Sequence, residues 1–154
     1  MGALLSEMLD TSCIELELKE RRKPELIREL AEILSRCGAI TDIDSLVDEI
    51  MERENLSSTG IGSGIAIPHC LTSQVSETRI AFGRKTEGAR FDAVDNRPVA
   101  LFFLLVGPKG DYARHMQILS KIARYLHDPR FCQDLLAAES PEDILKIFRR
   151  KEGS

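Results

Sequence analysis

A chain of 154 residues is the size of one ordinary domain, and its 43% hydrophobic residues can fill a core without disulfides or metals. With 30% charged residues it is neither a disordered chain nor a membrane-embedded one, and no stretch approaches the roughly 20 apolar residues of a membrane helix. The net charge of −4, the absence of Trp and an aromatic share of 5% argue against a nucleic-acid partner, because counterion release and base stacking both lack their residues.

The opening segment, Met1–Asp10, has neither the basic region nor the apolar run of a signal peptide. Gly2 and Ser6 match an N-myristoylation pattern short enough to arise by chance. Cys13–Leu18 alternates apolar and acidic residues, which predicts a strand with one wet face. Pro24 suits the first turn of a helix whose apolar stripe is Leu26, Ile27, Leu30, Ile33, Leu34 and Cys37, with Gly38 as its stop. A second helix starts at Thr41 or Asp42 and runs to about Glu54. The stretch Asn55–Gly64 is too small and flexible for a regular element. It leads into a short strand, Ile65–Ile67, stopped by Pro68.

Arg79–Lys85 and Pro98–Val106 read as further strands, and the apolar run Val99–Val106 as a buried one. Three helices follow, with Asp111, Asp128 and Ser140 as N-caps, Pro129 and Pro141 one residue further on, and Ser140 with Asp143 as a variant capping box. No repeat or linker divides the chain, so residues 1–154 read as one domain. The order predicts an α/β protein (α+β in strict bookkeeping), a mixed sheet with helices on both faces. Cys13, Cys37, Cys70 and Cys132 form no C-x-x-C pair and read as reduced thiols of a cytoplasmic protein, Cys37 as a small core hydrophobe.

Chemistry concentrates around the glycines. Gly60, Gly62 and Gly64, flanked by Ser57, Ser58, Thr59 and Ser63, offer backbone N–H groups that could wrap a phosphate. The order helix, loop, strand does not fit the dinucleotide fingerprint, and Ile65 after Gly64 does not fit a P-loop. His69 follows the proline-stiffened strand, a good place to hold an imidazole in one orientation. His115 lies in the first turn of the next helix with Leu119, Ile122 and Leu126 continuing its face, so it points inward. There the helix dipole favours an anion, which suits the partner of a phosphorylated imidazole. His127, in the last turn of that helix, carries no chemistry.

Arg53-Glu54 followed by Ser58–His69, the run STGIGSGIAIPH, resembles the signature of enzyme IIA of the fructose–mannitol class, components of the phosphoenolpyruvate-dependent sugar phosphotransferase system that include its nitrogen-regulatory branch. The resemblance runs from the first helical turn to about Arg149. It implies a three-layer α/β/α sandwich around a mixed sheet. It also implies that His69 accepts a phosphoryl group from a histidine phosphocarrier protein, with His115 as the second active-site histidine and Arg53 on the phosphate. Ser58, Thr59, Gly60 and Gly62 are then the loop residues expected at the phosphate, and no metal or cofactor is expected.

Two roles are compatible with this: a nitrogen-regulatory IIA that controls target proteins through its phosphorylation state, or a sugar-specific IIA passing phosphate to a IIB domain. Phe91–Val99 is closer to the regulatory branch. Cys70 and Leu71 depart from the family's usual small residue and lysine after the histidine, and a thiol beside a reactive imidazole is a candidate for redox sensitivity. A Cys–His hydrolase built on Cys70 is disfavoured, since neighbours on a strand face opposite ways. A zinc site from His69, Cys70, His115 and Cys13 matches no ligand spacing.

Overall fold

A computed structural model describes residues 4–38 and 40–153. Gly2 of the myristoylation pattern lies outside them. A six-stranded mixed sheet forms the middle layer. Strand β1 (Ile14–Glu15) runs parallel to β5 (Arg79–Ala89), and β5 is antiparallel to β6 (Val99–Pro108). The other edge of β6 takes β3 (Ile65–Ala66) and β4 (His69–Thr72), both parallel to it, and β2 (Gly60–Gly62) pairs antiparallel with β3.

Residue parity along β6 separates the two cores. Phe102, Leu104 and Val106 face helices α2 (Lys23–Ser35) and α3 (Ile43–Glu54). Leu101, Phe103 and Leu105 face the short α1 (Leu5–Met8) together with α4 (Tyr112–Leu126), α5 (Pro129–Ala137) and α6 (Pro141–Gly153). The result is the expected α/β/α layering. The helices follow from amphipathic stripes: Leu26, Ile27, Leu30, Ile33 and Leu34 of α2 are all at most 1% exposed.

Capping follows the sequence with two adjustments. Asp42 accepts from Ser45 N–H, and Asp128 accepts from Arg130 N–H. Asp111 occupies its N-cap position without a side-chain bond. Ser140 Oγ accepts from Asp143 N–H, but the Asp143 carboxylate takes the N–H of Glu139, one residue further back than a capping box requires.

Four expectations change. The first strand shrinks to Ile14–Glu15, because Asp10 caps a 3-10 turn at Thr11–Cys13 and only Ile14 and Glu15 pair with β5. The glycine stretch is partly regular: Gly60–Gly62 is a strand, and Gly62, Ser63 and Gly64 all take positive φ to turn the chain into β3. Pro68 interrupts the following strand without ending it. Ile65 pairs with Leu101 and His69 with Leu105, the same offset, so β3 and β4 are one line along β6 with a gap where proline has no N–H. Finally, Cys13 and Cys37 are joined as a disulfide with Cα atoms 6.6 Å apart, leaving Cys70 and Cys132 as free thiols. The 3-10 turn brings Cys13 against the end of α2, a contact that sequence spacing cannot reveal.

Arg84, on β5 and 8% exposed, ties the far layer to the sheet. Its guanidinium donates to the carbonyls of Leu135, Leu136 and Ala138 at 3.0, 3.1 and 2.7 Å and to Leu16 O at 3.1 Å, capping the C-terminus of α5. Arg84→Met strands these carbonyls, so urea denaturation should register a loss of about 3 kcal/mol. Arg84→Lys should recover only part of it, having no planar fork.

Candidate functional site

His69 opens β4 and shares its face with Ile65 and Ile67, which belong to the α4 side of the sheet. His115, 3% exposed, comes from the first turn of α4 to meet it. His69 Nδ1 and His115 Nε2 are 3.3 Å apart, with ring centroids at 5.3 Å and ring planes inclined by 49°. The contact depends on Gly107 of β6: a Cβ there would stand 2.9 Å from His115 Nδ1. That Nδ1 is buried and has no hydrogen-bond partner among the described residues.

The pair sits in a cleft of about 490 Å³ between α3, β4 and α4. Arg53, in the last turn of α3, lines it, and its guanidinium donates to Ser57 O at 3.1 Å. Burial, then the Arg53 cation, then His115 push the His69 imidazole down to about 4, against a smaller opposing pull from the Glu54 carboxylate. Burial also holds His115 below the ordinary histidine range. Both rings are therefore neutral at pH 7, and His69 is a neutral imidazole beside a fixed cation. Such an imidazole has a lone pair free at neutral pH, and the cation beside it is of the sign an anion needs.

His69, His115 and Arg53 thus come together as the sequence suggested. Ser58, Thr59, Gly60 and Gly62 do not line the cleft. Thr59 donates its N–H and its hydroxyl to Glu54, and Ser58 Oγ donates to Phe91 O while accepting from Gly60 N–H. Gly62 belongs to the turn into β3. The polar groups of this loop are engaged by the protein itself.

Cys70 faces the opposite core, as its parity predicts. Burial, with Glu49 adding to it, pushes its thiol up to about 12, which disfavours the thiolate that redox or nucleophilic chemistry uses. Cys13 is bonded to Cys37. Among the described residues no three His, Cys, Asp or Glu side chains converge as a metal-binding group.

Sequence reasoning missed several cleft residues. Glu49 lies four residues before Arg53 and Leu56 three after it, and Tyr112 lies three before His115, so helical spacing could have found them. Lys109, in the turn after β6, carried no such signal. It reaches Glu49 at 3.7 Å, while Glu49 accepts from the buried Thr72 hydroxyl at 2.8 Å. Leu56, Tyr112 and Met116 leave apolar surface exposed at the rim.

The fold and the histidine cleft agree with a phosphotransfer protein, the class that the sequence resembles. The sequence model of the family "Phosphoenolpyruvate-dependent sugar phosphotransferase system, EIIA 2" matches residues 7–151, and the chain belongs to that family. It is 36% identical over 144 residues to the fructose-specific EIIA component of Haloferax volcanii, covering 94% of each chain. It is 33% identical over 148 residues to the fructose-specific EIIABC component of Bacillus subtilis, covering 96% of this chain but only 23% of that longer protein. The crystal structure of nitrogen regulatory protein IIA-Ntr from Neisseria meningitidis superposes with a TM-score of 0.88 at 32% identity, covering 95% of this chain and 99% of that one. Among the described residues no helix is long and apolar enough to cross a membrane.

The electrostatics can be tested directly. A cation beside an imidazole disfavours its protonation, so Arg53→Gln should raise the His69 pKa above about 4 in an NMR pH titration. It should remain below 6.5, because burial, the largest cause, persists.

Proposed function

We propose that the chain is a cytoplasmic phosphohistidine carrier that accepts a phosphoryl group on His69 from a histidine phosphocarrier protein. The observation that carries this is the neutral His69 imidazole paired with His115 in a cleft that also presents Arg53. Since Nδ1 faces His115, Nε2 is the nitrogen left to attack. In that state His69 Nδ1–H donates to His115 Nε2, and His115 carries its own proton on the buried Nδ1.

The P–N bond of the donor breaks as the His69 Nε2–P bond forms, and the His69 ring gains positive charge as its lone pair is used. The Nδ1–H bond to His115 strengthens at that moment. Arg53 faces the phosphoryl oxygens, so positioning and charge supply the catalysis with no bound metal or cofactor. The loop Ser58–Gly62 serves the phosphate from behind the cleft, through the bonds of Thr59 to Glu54 and to Ile67 N–H. His69 and His115 are in this sense catalytic, and the activity is that of a phosphotransferase.

Of the two roles, we favour a nitrogen-regulatory IIA that acts on a target protein through its phosphorylation state, which the overlap with IIA-Ntr supports. A sugar-specific IIA that hands phosphate to a IIB domain is supported by the identity to the fructose-specific EIIA component.

The chain should be mixed with phosphoenolpyruvate, the general enzyme of the system and a histidine phosphocarrier, and followed by intact-protein mass spectrometry. One acid-labile phosphoryl group is expected, absent in His69→Ala. His115→Ala should still accept it but transfer at least about tenfold more slowly, the worth of one hydrogen bond to a charged group. No uptake by the wild type would sink the carrier reading. For the choice of role, the phosphorylated chain should leave the cysteine of a fructose-type IIB domain unlabelled; rapid labelling would establish the sugar-specific role instead.

A further inference from the structure

Glu54 is a buried carboxylate that the proposed chemistry does not use. It adjoins Arg53 at the end of α3, and its side chain is 1% exposed. Its oxygens meet three donors: Lys23 Nζ at 2.6 Å, Thr59 N–H at 2.9 Å and the Thr59 hydroxyl. Lys23, from the first turn of α2, is itself largely covered and lies 4.8 Å from the centre of the Phe91 ring. The path continues beyond Glu54. Thr59 O accepts from Ile67 N–H at 2.9 Å, and Ile67 is joined through Pro68 to His69.

These bonds link the two halves of the cleft. One end of the path is the helix turn that carries Arg53, and the other is the strand that carries His69. Between them runs the segment Asn55–Ser58, whose Leu56 is 80% exposed and which has little packing of its own. Glu49, one turn before Arg53, already ties the body of α3 to Thr72 of the His69 strand; without the Glu54 clamp the last turn of α3, which carries Arg53, would be joined to that strand beyond this point only through the exposed loop. A buried ion pair is weak support for stability, because desolvation offsets its attraction. What three converging donors do supply is a fixed geometry.

We propose that Glu54, held by Lys23, is a positioning residue for phosphoryl transfer: it sets Arg53 against His69 by clamping Thr59. This rests on the carrier reading above. Neither Glu54 nor Lys23 touches the phosphoryl group. Glutamine at 54 offers one accepting oxygen and turns an NH2 toward a donor, so the clamp opens while side-chain size is kept. Misplacement of a reacting group by about 1 Å can cost on the order of a hundredfold in rate.

The test is single-turnover transfer from a phosphorylated histidine phosphocarrier to the full chain, measured by rapid quench. Glu54→Gln should slow the saturated rate at least about tenfold, with the half-saturating donor concentration held within about threefold. Arg53→Lys should also slow the wild type, yet add less than about threefold in the Glu54→Gln background, since both act on one geometry. A purely structural role would give independent, multiplying losses. Where Glu54→Gln does not fold, Lys23→Met combined with Glu54→Gln replaces the buried pair by a neutral one and should show the same slowing. A folded variant that transfers at the wild-type rate, or multiplying losses in the Arg53 pair, would overturn this inference alone. No uptake by the wild type would overturn the carrier reading and this inference with it.

Discussion

The register that β3 and β4 share along β6 decides the rest of the site. Strand residues alternate between faces, so a slip of one residue at Pro68 would send His69 to the α2–α3 side and turn Cys70 toward His115. Proline there removes a ladder hydrogen bond, and the pairing of Ile65 with Leu101 and His69 with Leu105 shows that the alignment survives it. With that alignment kept, α4 has only to place one first-turn side chain over the sheet. The bare Cα of Gly107 leaves the room for it.

Burial then sets the reactivity. An imidazole held near pKa 4 is neutral at physiological pH, hence available as a nucleophile. Its weak basicity also makes it a better leaving group, and in a carrier both properties are needed: the group must be taken up and given away again. Arg53 is a cause of the lowered basicity, and in the proposed carrier role it is also the counter-charge for an incoming anion. A tighter cage of fixed donors would hold the phosphoryl group at the expense of passing it on. Ser58, Thr59 and Gly60 bond to Phe91 O, Glu54 and Ser58 Oγ, so these donors are engaged within the protein and are not part of such a cage.

The glycine-rich run therefore identifies the family while doing something other than what its composition suggests. Gly62 and Gly64 permit a turn of positive φ around Ser63, and β2 folds back on β3 to flank the strand that bears His69. Glu54, which precedes the run at the end of α3, is buried against Lys23 from the first turn of α2. The signature is thus a record of local geometry as much as of chemistry.

Helix stripes, caps and the inward face of His115 were legible in the sequence, because 3.6-residue periodicity and capping chemistry are local. So were His69 and Arg53, through a run of residues specific enough to mark a family. Tertiary structure alone decided the rest. The 3.3 Å contact of the two histidines, the space at Gly107, the disulfide between Cys13 and Cys37 and the Lys23–Glu54–Thr59 path all join segments distant in the chain. Short strands such as Gly60–Gly62 and Ile14–Glu15 belong with them, since a strand of two or three residues exists only through the neighbour it pairs with. Periodicity reports which face of an element is buried; it does not report which partner covers it.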